Sequence, residues 1–209
     1  MYYLCQHFGV VVGAVSGVLA AGGKRIDLFG VVVLGLVTAL GGGTLRDAVL
    51  GPDPALGTSA VFWIRDANYV VTATVASVAM FFIARLWTMP HKLLAVADAF
   101  GLASFTILGA SKAVAFGVGS VNVVFLGVIT GVAGGIVRDV LVGEIPLVFR
   151  PETHLYATAA FAGATVYVLL EAWLPGNAAG GFVGAGITLT LRLVSIQWKL
   201  SLPVFRAES

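Results

Sequence analysis

Apolar residues gather along this chain in about seven long runs, each close to the ~20 residues that a bilayer-spanning helix needs. The runs predict helices over residues 4–21, 68–86, 93–116, 154–174 and 180–194. Two further helices start near Leu28 and Asn122, and each continues through a glycine cluster to an Arg-Asp pair. Short polar stretches punctuate the runs: Lys24, Arg25 and Asp27; then residues 51–67 with Pro52, Pro54, Phe62 and Trp63; then Arg85, His91 and Lys92; then Pro175-Gly176. The alternating ~10-residue segments of a membrane β-barrel are absent. The pattern predicts an all-α membrane protein of seven transmembrane helices in a single domain.

One stretch occurs twice. VVVLGLVTALGGGTLRDAVLGPDP (31–54) aligns without a gap on VVFLGVITGVAGGIVRDVLVGEIP (123–146), at an offset of 92 and with 11 of 24 positions identical. The identities include Thr38/Thr130, Gly42/Gly134, Gly43/Gly135, Arg46/Arg138, Asp47/Asp139, Gly51/Gly143 and Pro54/Pro146. Weaker matches at the same offset lie upstream, at Phe8/Phe100, Gly9/Gly101 and Gly17/Gly109. Each repeat holds three predicted helices, at about 5–87 and 93–174, and the seventh, at about 180–195, has no counterpart. An odd number of crossings makes the second copy enter from the opposite side, so the expected architecture is a 3+3 inverted-topology repeat plus one helix.

Composition agrees with this reading. Apolar residues make up 59% of the chain and charged residues 11%, against about a quarter charged in soluble domains; the mean hydropathy is +1.01. The net charge is only +2, so its distribution is the informative part. An outside N-terminus puts Lys24, Arg25, Arg85, Lys92, Arg150, Lys199 and Arg206 on one side, which the positive-inside rule makes cytoplasmic. The expected location is a bacterial inner membrane, with the C-terminus inside. Lys24 and Arg25 follow the first run rather than precede it, unlike a cleavable signal. Cys5 is the single cysteine and cannot form an intrachain disulfide.

Candidate chemistry concentrates in the repeats. Gly41, Gly42 and Gly43, with Gly134 and Gly135, suit either helix breaks whose freed carbonyls ligate a cation in a watery cavity or a close helix crossing. Gly9, Gly13 and Gly17 recur every four residues and suit helix packing. The pairs Arg46/Asp47 and Arg138/Asp139 suit either two mouths of one conduit or structural ion pairs with snorkelling arginines. Lys112 has no charged counterpart in the repeat and would either snorkel to the interface or project into a conduit as a positive gate. Asp98 and Glu171 lie near predicted helix ends and are expected to be solvated. Glu144 is a candidate cation-attracting group. His7, His91 and His154 lack metal-ligand spacing. No enzyme activity, cofactor, bound metal or nucleic-acid partner is expected.

GGGTLRDAVLG, GGIVRDVLVGEIPLVFR and the following LYATAAFAGA resemble the bacterial members of the trimeric intracellular cation (TRIC) channel family, some of which are described as glycine transporters. The resemblance covers about residues 5–195. It implies seven helices, a homotrimer, and one potassium-permeable pore per protomer bordered by the second and fifth helices. It also implies a lysine near the conduit that controls opening, matched by Lys112 in GASKA. The lysine-rich segment that animal members associate with phosphoinositide is replaced here by GEIPLVFR, with Glu144 and Arg150 only, which makes phosphoinositide regulation doubtful; ordinary membrane lipid is still an expected partner. The resulting expectation is a passive monovalent-cation channel favouring potassium over anions. Thr38 and Thr130 would be weak ligands for permeating potassium or sodium, Lys112 the gate, and Asp47, Asp139 and Glu144 offsetting charges at the mouths. The alternative is an alternating-access transporter of a small solute such as glycine; a purely structural membrane protein would carry no flux.

Overall fold

A computed structural model describes residues 2–52, 57, 61–90, 92–150 and 155–200. Pro54, His91, His154 and Arg206 lie outside the described residues. The elements are α1 (Tyr2–Ala20), α2 (Leu28–Leu50), α3 (Phe62–Arg65), α4 (Asn68–Leu86), α5 (Leu93–Ala115), α6 (Ser120–Leu141), a 3-10 turn (Leu147–Phe149), α7 (Tyr156–Trp173) and α8 (Ala178–Trp198). No strand occurs among the described residues. Six helices, α1, α2, α4, α5, α6 and α8, are long and apolar enough to cross a membrane. The predicted sixth span, α7, is shorter and diluted by Tyr156, Thr158, Thr165, Tyr167 and Glu171, and is not one of those six. The four-residue α3 was not anticipated; it lies in the long connection after α2.

Helix ends follow local chemistry. The Asp27 side chain caps α2 by accepting from the Gly30 N–H at 2.8 Å, which satisfies one of the orphan donors of the first turn. Gly51 and Gly143, equivalent in the repeat, both stand at positive φ (77° and 73°) just beyond α2 and α6, where residues with a Cβ are disfavoured. Trp87, Trp173 and Trp198 sit at the ends of α4, α7 and α8 and are 73%, 84% and 69% exposed, as suits an interfacial aromatic belt.

The centre of the bundle is the crossing of α2 with α6. α1 and α4 pack beside α2, α5 and α7 beside α6, α1 also lies against α5, and α8 closes over α5 and α7. The helices approach closely because glycine removes the side chain at each crossing. A Cβ on Gly42 would collide with the Thr130 carbonyl oxygen, and one on Gly134 with the Thr38 carbonyl oxygen. Since Thr38/Thr130 and Gly42/Gly134 are repeat equivalents, the contact is reciprocal. The glycine strip of α1 works the same way against α2: a Cβ on Gly13 would sit 2.9 Å from the Ala39 Cα, and one on Gly17 2.7 Å from the Gly35 Cα.

These contacts correct the helix-break expectation. Both α2 and α6 are helical without interruption through Gly41, Gly42, Gly43, Gly134 and Gly135. The glycines serve the crossing, and their carbonyls are not released by a break.

Gly42→Ala should separate α2 from α6 and lower the thermal midpoint of the detergent-solubilised protein, at the ~1–3 kcal/mol typical of overpacking. Gly41→Ala is the matched control. Its added Cβ would meet only the Gly134 Cα at 3.8 Å, and alanine regains about 1 kcal/mol of helix propensity, so its midpoint should hold or rise.

Candidate functional site

Charge is buried at two levels of this bundle. Arg46, Arg138 and Arg192 head the largest fully buried side chains. None snorkels to the protein surface, which corrects the expectation for the first two. An ion kept from water needs a counter-ion, and the Arg-Asp dipeptides supply one to Arg46 and one to Arg138.

The first cluster is built on Asp47. Its Oδ1 accepts from Arg46 Nε at 2.6 Å and from Lys112 Nζ at 2.8 Å, and its Oδ2 accepts from the Phe62 backbone N–H at 2.9 Å. The short α3 exists at this point: it brings that N–H to the carboxylate and sets the Phe62 ring beneath the Arg46 guanidinium, 5.9 Å from the ring centre. The same ring fills the space left by Gly43. Trp63 anchors α3 to α2 by donating to Thr44 Oγ1 at 2.9 Å.

The second cluster repeats this plan with different partners. Asp139 Oδ1 accepts from Arg138 Nε at 2.8 Å, and Oδ2 accepts from the Leu147 N–H at 2.8 Å, at the start of the 3-10 turn. Arg138 Nη1 reaches Asp98 Oδ1 at 2.7 Å and Ser16 Oγ at 2.5 Å. Tyr156 lies beside Gly135, where Phe62 lies beside Gly43, and the Arg192 guanidinium stacks on the Tyr156 ring at 4.6 Å.

One expectation is therefore corrected. Asp98 is not solvated; it is only 6% exposed and ion-paired inside the bundle. Arg192, inside the predicted last run, lies within α8 and is fully buried. Pairing with Arg138 is invisible in a linear sequence, but a carboxylate within a long apolar run is itself a signal of a buried partner, and Asp98 carries that signal. Glu171, the other acid expected in solvent, accepts from the Gly176 N–H at 2.7 Å at the end of α7.

Beside the second cluster, at the α2–α6 crossing, lies a small cavity of about 20 Å³, room for about one water-sized particle. Thr38 and Thr130 line it, with Gly42, Gly134, Ser16 and Asp98 among its walls. The two threonines thus share one cavity at the crossing. Lys112 and the Arg-Asp pairs do not line this cavity. Glu144 stands apart on the surface: its Oε1 binds Lys24 Nζ at 2.7 Å and its Oε2 binds Arg150 Nη2 at 3.3 Å.

This arrangement defines a class: a polytopic all-helical membrane protein with a glycine crossing and paired internal ion clusters. A family model described as glycine transporter matches residues 3–85 and 95–172, two stretches whose starts are 92 residues apart. The UPF0126 inner membrane protein YadS of Escherichia coli strain K12 is 43% identical over 100% of this chain and 98% of its own. The TRIC trimeric intracellular cation channel orthologue of Rhodobacter sphaeroides superposes with a TM-score of 0.86 at 37% identity, covering 95% of this chain and 98% of that one. A structure described under conductance through TRIC cation channels gives 0.85 at 36% identity, covering 100% and 99%. The chain belongs to this family, the UPF0126 and glycine-transporter group that shares the TRIC fold.

Asp47→Asn should destabilise the folded protein by about 3–5 kcal/mol, the usual result of leaving buried cations without their carboxylate; chemical denaturation in detergent measures it. At the surface, the hydrogen bond and charge of Lys24 hold the Glu144 carboxyl below its ordinary value of 4.5. A depressed folded-state value means the pairing contributes fully above the unfolded value and is lost as pH falls through the lowered one. Lys24→Ala should return the Glu144 titration, read by carboxyl-carbon NMR, toward 4.5.

Proposed function

We propose that the protein is a passive, monovalent-cation channel of a bacterial inner membrane, permeable to potassium and sodium and favouring them over anions. The observation that carries the reading is the cavity at the α2–α6 crossing, walled in part by the buried Asp98, in a chain whose structural relatives are described as cation channels. In this reading the two threonines supply weak oxygen ligands, and weak ligands allow an ion to leave as well as enter. The Lys112–Asp47 bridge closes one end. Arg138 with Asp139 forms the other, while Arg46, still bound to Asp47, keeps the first cluster neutral when Lys112 withdraws.

The assembly is a homotrimer with one conduit in each protomer, as the description of the Rhodobacter sphaeroides relative suggests. All seven long helices cross the bilayer, α7 among them because it is packed between α6 and α8. The two halves run in opposite directions, with the N-terminus outside and the C-terminus cytoplasmic; the reciprocal Gly42–Thr130 and Gly134–Thr38 contacts support a pseudo-two-fold axis at the crossing. Lipid covers the exposed apolar faces.

A second reading has one observation in its favour: the family model is described as glycine transporter. An inverted repeat meeting at a central cavity is also a transporter architecture.

Purified protein in a planar bilayer under a potassium chloride gradient separates the two. Discrete openings reversing toward the potassium potential are expected. Absence of current, with labelled glycine accumulating in proteoliposomes, would establish the transporter instead. Lys112→Ala should raise open probability severalfold, and unchanged openings would remove the lysine from gating.

A further inference from the structure

We propose that Asp98 is the charged ligand of a single dehydrated monovalent cation held in the central cavity, and so the residue that sets the preference for cations. The inference rests on the conduction reading and assigns its selectivity to one side chain.

The first ground is placement. Among the described residues that line the cavity, Asp98 is the one that carries a charge. It is more than nine-tenths buried. Its Oδ1 is occupied by Arg138 at 2.7 Å, while its Oδ2 makes no hydrogen bond. The Tyr156 hydroxyl hydrogen-bonds to the same carboxyl, standing with Oδ1 against Gly135, and Tyr156 does not line the cavity. An unmet carboxylate oxygen in a low-dielectric interior calls for a cation, a proton donor or water.

The second ground is the chemistry of the other walls. Thr38 Oγ1 donates its proton to the Leu34 carbonyl at 2.6 Å, and Thr130 Oγ1 donates to the Leu126 carbonyl at 2.5 Å. Both hydroxyl protons are committed, so each threonine can offer the cavity only lone pairs. With Asp98 Oδ2 these make two neutral acceptors and one anionic acceptor, while the Ser16 hydroxyl on the same wall accepts from Arg138; the net negative set suits a cation better than an anion. The volume of about 20 Å³ admits one particle of water size, which matches a bare potassium ion and excludes a hydrated one.

Arg138 tunes the site. Its guanidinium fixes the carboxyl through Oδ1 and offsets part of its charge, so the cation is held weakly. Weak holding is what conduction requires, since a tightly bound ion would block the path.

The test begins with wild-type currents under a potassium chloride gradient. If the wild-type passes no current, the conduction reading fails. If it conducts, Asp98→Asn should lower the potassium-to-chloride permeability ratio by about tenfold or more, moving the reversal potential toward zero. Asp98→Glu should retain selectivity, while its extra methylene reduces conductance. A merely structural Asp98 would change melting temperature and leave the reversal potential of Asp98→Asn at the wild-type value, which overturns the proposal. A measurement on the wild-type protein stands should either variant fail to fold. Crystals grown in rubidium chloride should show anomalous scattering in the cavity within ligand distance of Asp98, and a cavity holding only water overturns it.

Discussion

The structure depends on two helices meeting where neither has a side chain. At the α2–α6 crossing, Gly42 faces the Thr130 carbonyl and Gly134 faces the Thr38 carbonyl, and a single added carbon on either face would collide with backbone that cannot turn aside. In lipid there is no hydrophobic gain from hiding one apolar helix against another, so close van der Waals approach has to hold the pair. The approach also sets the depth of everything else. It places the two threonines on one small cavity and fixes the Arg-Asp pairs, one helical turn beyond each glycine contact, at opposite levels of the bundle.

Each Arg-Asp pair is a local solution to a costly problem. The aspartate neutralises its neighbouring arginine through one oxygen and uses the other to hold a backbone N–H in the connection that follows, Phe62 in one half and Leu147 in the other. The same carboxylate therefore stabilises a buried cation and anchors a loop. The halves diverge in charge at the third member. Helix α5 brings Lys112 to the first cluster and Asp98 to the second, so a plan shared by duplication carries opposite added charge at its two ends.

Much of this was legible in the sequence. Hydropathy gave the long helices to within a few residues, because a run of apolar side chains has few other stable fates in a bilayer. The duplicated motif marked α2 and α6 as equivalent helices, and the family resemblance put them side by side, as their contact in the structure has them. Other features were hidden. The glycines read equally as breaks or crossings, since both exploit the missing Cβ; only the neighbouring backbone decides between them. Asp98 reads as solvated because it lies near a helix start; its burial depends on Arg138, a residue distant along the chain. The short α3 was missed because four residues carry no periodicity; its reason for existing is Asp47, which lies earlier in the chain.

Helix α5 has a further electrical property. Asp98 lies toward its N-terminal end and Lys112 in its last turn. The peptide units of any helix sum to a dipole with its positive pole at the N-terminus and its negative pole at the C-terminus. The two side chains form a second dipole of opposite sense along the same axis, so each partly cancels the other. In an apolar slab without mobile counter-ions, such cancellation lowers the self-energy of the rod. Exchanging the aspartate and the lysine would preserve composition and net charge yet align the two dipoles, so the order in which α5 carries its charges is itself a determinant of how comfortably it sits in the membrane.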